Sequence, residues 1–362
     1  MAKKRVIVAM SGGVDSSVAA ALLLRQGFDV VGVTMRLWTL EDTEAPLHHR
    51  RCCSVDDSED ARAVCDTLGI PHYVLNFERE FAATVVDYFC REYERGRTPN
   101  PCLACNEHVK FRPLLAKALA LEADYLATGH YSRIERNGHG YELWRAKDES
   151  KDQSYVLYVL GQEELSRLLF PLGDYTKVEV RRIAAELGLP VADKPDSAEI
   201  CFIPRGDYRQ FLEARFPQRP GDIVDGGGRV LGRHQGIGGY TVGQRRGLPA
   251  RGGQEPLFVL GLDPIDNTVT VGRDDELLSD ALCAENISFV SGEAPVGPRP
   301  VAVEAKIRYR SEPAPALLVV ANGKAEVRFQ RPQRAITPGQ AVVFYQGPRV
   351  LGGGIIVTSG RN

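Results

Sequence analysis

Three stretches of this 362-residue chain carry residue types whose spacing suits chemistry. The first is Ser11-Gly12-Gly13-Val14-Asp15-Ser16-Ser17, between an apolar run from Arg5 to Met10 and a helical pattern from Ser17 to Gln26. Glycines let a backbone approach a ligand closely, and a helix start points unpaired N–H groups at whatever sits there. Two hydroxyls and a carboxylate added to that cradle suit a nucleotide phosphate and its Mg2+. The second stretch, Thr98-Pro99-Asn100-Pro101-Cys102-Leu103-Ala104-Cys105-Asn106, falls between two helical patterns, and the third, Asp196 to Pro204, centres on Cys201. A cysteine at a helix start gains thiolate character, and the thiolate is the nucleophile or the metal ligand. The Cys102–Cys105 spacing alone is also half of a zinc site, but no second pair completes a four-ligand set. Cys65 and Cys90, on apolar helical faces, read as small core residues, and Cys283 is unremarkable. Cys52 and Cys53, after a basic run, have no role that spacing supplies.

Strands and helices must hold these stretches together. Asp29–Leu37, Pro71–Phe77 and Tyr125–Tyr131 read as strands; Ser58–Leu68, Phe81–Glu94 and Val109–Leu121 read as helices. Such alternation implies crossovers and a parallel α/β sheet covered on both faces. Ligands of such sheets bind beyond the carboxyl ends of the strands, where the Ser11–Ser17 loop, Met35 and Gly129-His130 all fall. Asn137-Gly138 signals a hairpin. Residues 152–190 return to helical spacing. From Phe216 the texture changes to glycines and short alternating strands, and from about 284 five or six strands suggest a small barrel or sandwich. The expected division is therefore 1–205, 206–283 and 284–362.

Composition sets bounds. With 43% hydrophobic and 25% charged residues the chain is that of a globular protein. No apolar run approaches the roughly 18 residues of a membrane span, and the N-terminus lacks a signal peptide's apolar region, so no membrane partner is expected and the cytoplasm is the expected compartment. The eight cysteines read as thiols rather than a disulfide scaffold. Net charge is -2, with a slight positive excess after residue 215, which permits a polyanionic partner without demanding one.

No Walker A pattern occurs. The S-G-G-x-D-S loop instead resembles the PP-loop of ATP pyrophosphatases, which implies transfer of AMP to an oxygen, with Asp15 helping to hold Mg2+ and Ser11, Ser16 and the loop amides taking pyrophosphate. Seven motifs in order, S-G-G-V-D-S-S, C-C-S…D-A-R, G-R-T-P-N-P-x-x-x-C-N, T-G-H-Y, K-D-Q-S-Y, I-C-F-I-P and Y-T-V-G-Q-R-R-G-L, extend the resemblance to nearly the whole chain, which is similar to the tRNA-specific 2-thiouridylases. That resemblance implies a PP-loop domain, a small central domain and a C-terminal β-barrel. It implies ATP-dependent adenylation of C2 of the wobble uridine of a tRNA, then sulfur transfer supplied by a sulfur-relay protein or cysteine desulfurase.

By position the resemblance makes Cys105 a nucleophile and Cys201 the persulfide carrier, the two ending as a disulfide. It places ATP on Ala9, Met10, Ser11, Gly12, Gly13, Val14, Asp15, Ser16, Met35 and Gly129. It sets the target base on Asn100, Pro101 and Cys102, and tRNA on His130, Lys151, Asp152, Gln153, Arg308, Tyr309 and Gln340. One departure is Cys102, where many members of the family carry Asp. Cys102, Cys105 and Cys201 could together hold a 4Fe–4S cluster with one iron open. The sequence leaves persulfide and cluster both open. A PP-loop ligase or amidotransferase of small metabolites would use the loop and leave both cysteine motifs idle, and a non-catalytic tRNA-binding or iron–sulfur module would leave the loop idle.

Overall fold

The computed structural model describes residues 3–38, 55–196, 200–203, 207–249, 255–294 and 299–360. Cys52 and Cys53, Ser197 to Glu199 and Pro204 lie outside the described residues.

Five strands form the first sheet in the order His72–Asn76, Asp29–Arg36, Arg5–Ala9, Tyr125–Ala127, Leu168–Leu169, every neighbouring pair parallel. Strand order reverses beside Arg5–Ala9, so the crevice at its carboxyl end is the switch point where α/β sheets take ligands. Val6 and Val8 face one layer of helices, with Val18, Val64 and Val180, while Ile7 faces the other, with Phe89, Val109 and Leu114. The alternation along one five-residue strand is thus what a sheet buried on both sides requires.

The second helical layer is irregular next to the site. Residues 101–120 run as one helical rod, but Asn106–Leu114 is wound as a π-helix containing Pro113. Wide turns of this kind mark functional positions, and this one begins directly after Cys105. The rod starts at Pro101, not Val109. The Cys102/Cys105 stretch is therefore its first turn rather than a linker between two helices, because Asn100 caps it and Pro101 occupies the first turn, where its missing N–H costs nothing.

Residues 152–161 are not helical, apart from one short turn at Ser154–Val156. Their apolar spacing reflects burial on two sides. Tyr155 donates its hydroxyl to Ala341 O at 2.8 Å, and Tyr158 lies so close to Gly353 that any β-carbon there would meet its ring. The second helical pattern in that region holds, as Lys177–Glu186, capped by a reciprocal Thr176–Glu179 box.

The middle domain is a four-stranded sheet, Phe258–Asp263, Thr268–Gly272, Gly221–Asp225, Val230–His234, around Ile223, Val259, Val269 and Val271. The last domain is a closed barrel. Leu278–Phe289, Lys324–Arg334, Ala314–Ala321, Val301–Lys306, Ala341–Gln346 and Arg349–Ser359 pair in that order, and the first pairs again with the last. The hairpin Arg133–Asn137/Gly140–Trp144 leaves the first domain and adds to this barrel through Trp144 and Leu143 against Arg349 and Val350. No helix among the described residues is long and apolar enough to cross a membrane.

Burial lowers the pKa of His72, His130 and His234, each aided by a nearby Arg or Lys charge. Folded, they resist a proton that the unfolded chain accepts below about pH 6.5. Their contribution to stability is therefore present above that pH and lost as the pH falls below it. Scanning calorimetry should show the unfolding midpoint falling from pH 7 to pH 5; a level or rising midpoint would contradict this.

Candidate active site

A cleft of about 720 Å³ opens at the carboxyl ends of the central strands. The nucleotide loop forms one wall. Met10 N–H still donates to Val33 O at 2.8 Å, holding the chain in the sheet up to the turn. Gly12 then adopts φ +67°, and a β-carbon there would overlap Asp57 O. The Ser11 N–H donates to Ser16 Oγ at 3.1 Å, and the two hydroxyls lie 3.2 Å apart. Gly129, at the end of the neighbouring strand, packs on this loop so closely that a β-carbon would lie 2.7 Å from Asp15 C and Ser16 N.

Charges brace the loop from beneath. Lys177 Nζ donates to both Asp15 oxygens at 2.7 and 2.8 Å, and the Tyr131 hydroxyl donates to Oδ1 at 2.7 Å. Lys194 Nζ donates to Gly12 O at 2.9 Å and to Asp57 and Asp60 at 2.6 Å each. Burial pushes the Asp196 carboxyl up, but Lys151 and Lys177 outweigh it and hold the group down at about 2.

Both cysteine motifs reach the same cleft. Cys102, exposed, and Cys105, buried, line it from the start of the 101–120 rod, where the Cys102 N–H donates to Asn100 Oδ1 at 3.1 Å. Cys201, half-buried, lines it from the opposite side beside Phe202, whose ring packs 5.6, 5.4 and 5.3 Å from Phe81, Phe89 and Phe211. Burial raises Cys65 to about 12 and Cys90 above its ordinary value, so both are poor nucleophiles, in keeping with core positions.

Of the positions expected to take ATP, Ala9 to Ser11, Gly13 to Ser16, Met35 and Gly129 line the cleft, and Gly12 shapes the turn from behind. Pro101 and Cys102 line it too, whereas Asn100 is the helix cap. Among the positions expected to meet tRNA, His130, Lys151, Asp152, Gln153 and Tyr309 line it. Several of them also do structural work. Asp152, 8% exposed, accepts the Ala146 and Ser154 N–H groups, Gln153 Oε1 accepts the Tyr131 N–H, and Arg308 donates to Ala335 O. Gln340 Nε2 donates to Thr98 O at 2.7 Å, tying the barrel to the segment ahead of Cys102.

The sequence reading missed Lys177, Lys194, Tyr131, Lys110, Lys306 and Arg310. Lys177 opens a surface-type amphipathic helix, and only the fold brings it under Asp15. The oxygen donors Ser11, Asp15 and Ser16 fit a hard cation, and Asp15 would hold Mg2+ against phosphate charge. For an iron–sulfur cluster the fit is poorer. Cys102, Cys105 and Cys201 share the cleft, yet among the described residues no three His, Cys, Asp or Glu side chains converge to metal-binding distance.

A parallel sheet with a glycine–serine loop at its switch point, followed by two β domains, defines a nucleotide-activating enzyme with accessory barrels. Family models divide the chain the same way: a tRNA methyl transferase HUP domain over 4–205, a tRNA methyl transferase PRC-barrel domain over 209–273 and an aminomethyltransferase β-barrel domain over 279–356. The chain is 52% identical to a protein named tRNA-specific 2-thiouridylase MnmA in Roseiflexus castenholzii, across 97% of this chain and 99% of that one. It is 51% identical to the protein of that name in Carboxydothermus hydrogenoformans, across 98% of each, and 52% identical to that of Geobacter metallireducens, across 98% and 97%. The chain belongs to the tRNA-specific 2-thiouridylase family.

Proposed function

We propose that this protein is an ATP-dependent tRNA-uridine 2-sulfurtransferase that carries its sulfur on Cys201. The observation behind this reading is that one cleft is lined by the nucleotide loop, Cys105 and Cys201 together. The family models are described as methyl transferases, but a methyl transfer would leave both thiols and the nucleotide loop without a task.

The triphosphate lies over the Ser11–Ser16 loop, with the adenine against Met35 and Gly129. The wobble uridine, extruded from its stack, enters past Asn100, Pro101 and Cys102. Its C2 oxygen attacks the α-phosphorus; pyrophosphate leaves, its charge met by loop amides and the Ser11 and Ser16 hydroxyls. The outer sulfur of the Cys201 persulfide then attacks C2, and AMP departs with the former oxygen. The Cys105 thiolate attacks Cys201 Sγ, breaking the sulfur–sulfur bond; 2-thiouridine leaves and a Cys105–Cys201 disulfide remains. An external thiol supplies two electrons to reduce it, and a sulfur-relay protein or cysteine desulfurase reloads Cys201. His130, Lys151, Asp152, Gln153, Arg308, Tyr309 and Gln340 flank the tRNA, their cations and donors meeting phosphate and sugar.

The test is direct. The purified chain, with ATP, Mg2+, a persulfide source and unmodified tRNA, should form 2-thiouridine and AMP in equal amounts. It should do so when prepared free of iron. Activity that appears only with iron bound would replace the persulfide route by the cluster route, and a failure to thiolate under either condition would sink the whole reading.

A further inference from the structure

Asp196 stands at the junction of three groups of residues. Its Oδ1 accepts Lys177 Nζ at 2.9 Å and Arg181 Nη2 at 2.8 Å, and its Oδ2 accepts Lys151 Nζ at 2.9 Å. Lys177 is the same ammonium that holds both oxygens of Asp15 in the nucleotide loop. An unbroken chain of opposite charges therefore runs Asp15–Lys177–Asp196–Lys151, from the loop expected to take ATP to a residue expected to meet tRNA. Asp196 shortly precedes Cys201 in the chain, and both line the cleft.

We propose that Asp196 is a positioning residue that makes the placement of Cys201 depend on ATP and tRNA being bound together. The inference rests on the sulfurtransferase reading above. A triphosphate on the loop competes with Asp15 and Asp196 for the Lys177 ammonium, and a tRNA phosphate competes with Asp196 for Lys151. The Asp196 and Lys151 side chains are 38% and 39% exposed, and ion pairs that open to water are weak enough to exchange partners. One ligand removes one of the three cations; Asp196 then stays tethered. Two ligands leave it with Arg181 alone, which is itself fixed to Ala192 O and Lys194 O at 3.1 Å each. Freed on its other sides, Asp196 lets the segment that carries Cys201 settle toward the activated base. Sulfur is so delivered only when an adenylated uridine is there to receive it.

The test compares wild type with Asp196→Asn and Lys177→Met as full-length, folded proteins in the thiolation assay. Wild type should release AMP and form 2-thiouridine in equal amounts. Each variant should still consume ATP, with the ratio of AMP to 2-thiouridine raised at least about fivefold, because activated tRNA is lost to water before sulfur arrives. Alkylation of Cys201, followed by mass spectrometry, gives a readout that mere loss of stability would not move. In wild type, a non-hydrolysable ATP analogue and tRNA together should change its rate at least about threefold more than the product of their separate effects, and in Asp196→Asn that excess should vanish. A folded Asp196→Asn enzyme with an unchanged product ratio overturns the proposal, as does a wild-type alkylation rate on which the two ligands act independently; the second result needs no variant. A wild type that makes no 2-thiouridine overturns the sulfurtransferase reading instead.

Discussion

Cys201→Ala is expected to abolish 2-thiouridine formation, by at least about a thousandfold, while leaving adenylation of tRNA measurable. The two steps use different walls of the cleft. Pyrophosphate release depends on the Ser11–Ser16 loop and its Asp15–Lys177 brace, and Cys201 touches neither. Cys105→Ala should fail later and differently. With a loaded Cys201, the base is attacked but the sulfur–sulfur bond stays unbroken, so enzyme and tRNA remain joined by a disulfide. Non-reducing gels should show this adduct with Cys105→Ala and not with Cys201→Ala, and a thiol reductant should dissolve it. If both variants gave the adduct, or if Cys201→Ala retained thiolation, the two roles would be wrongly assigned.

Gly129→Val should be the most damaging single change that adds no charge and removes no functional group. The new β-carbon would lie 2.7 Å from backbone atoms of Asp15 and Ser16, and backbone cannot swing away as a side chain can. The loop must shift by a sizeable fraction of an ångström, and misplacement on that scale costs on the order of a hundredfold in kcat/KM. The loss should appear in kcat/KM for ATP, with tRNA affinity intact. Gly138→Ala, in a hairpin turn with open space around it, is the matched control and should behave as wild type. Equal ATP kinetics in the two variants would show that Gly129 does not set the loop.

Much of this was legible in the chain. The Arg5–Ala9 strand, the glycine loop and the following helix are local: short range order in the sequence is short range order in space. The barrel announced itself by alternation in strands such as Ala341–Gln346. Residues 152–161 misled because their apolar spacing, set by burial between the sheet and the barrel, happens to match a helix. The start of the helix at Pro101 was concealed by two prolines, of which Pro101 opens a helix while Pro113 is absorbed in a π-turn. The brace of Lys177, Lys194 and Tyr131 was hidden for a different reason. Each meets its partner across more than a hundred residues of chain, and no periodicity encodes such a meeting.

The hairpin 133–144, which pairs with the barrel's Arg349–Ser359 strand, bears on how the chain can be cut. The three domains follow one another in sequence, yet they are not interchangeable beads. A truncation ahead of the barrel would strip the hairpin of its partner edge and uncover Tyr155 and Tyr158. The nucleotide domain left behind would carry an open strand edge and an apolar scar, the conditions for aggregation. Modularity in the order of the genes' text is thus not modularity in the folded molecule: the first domain finishes folding only against the last.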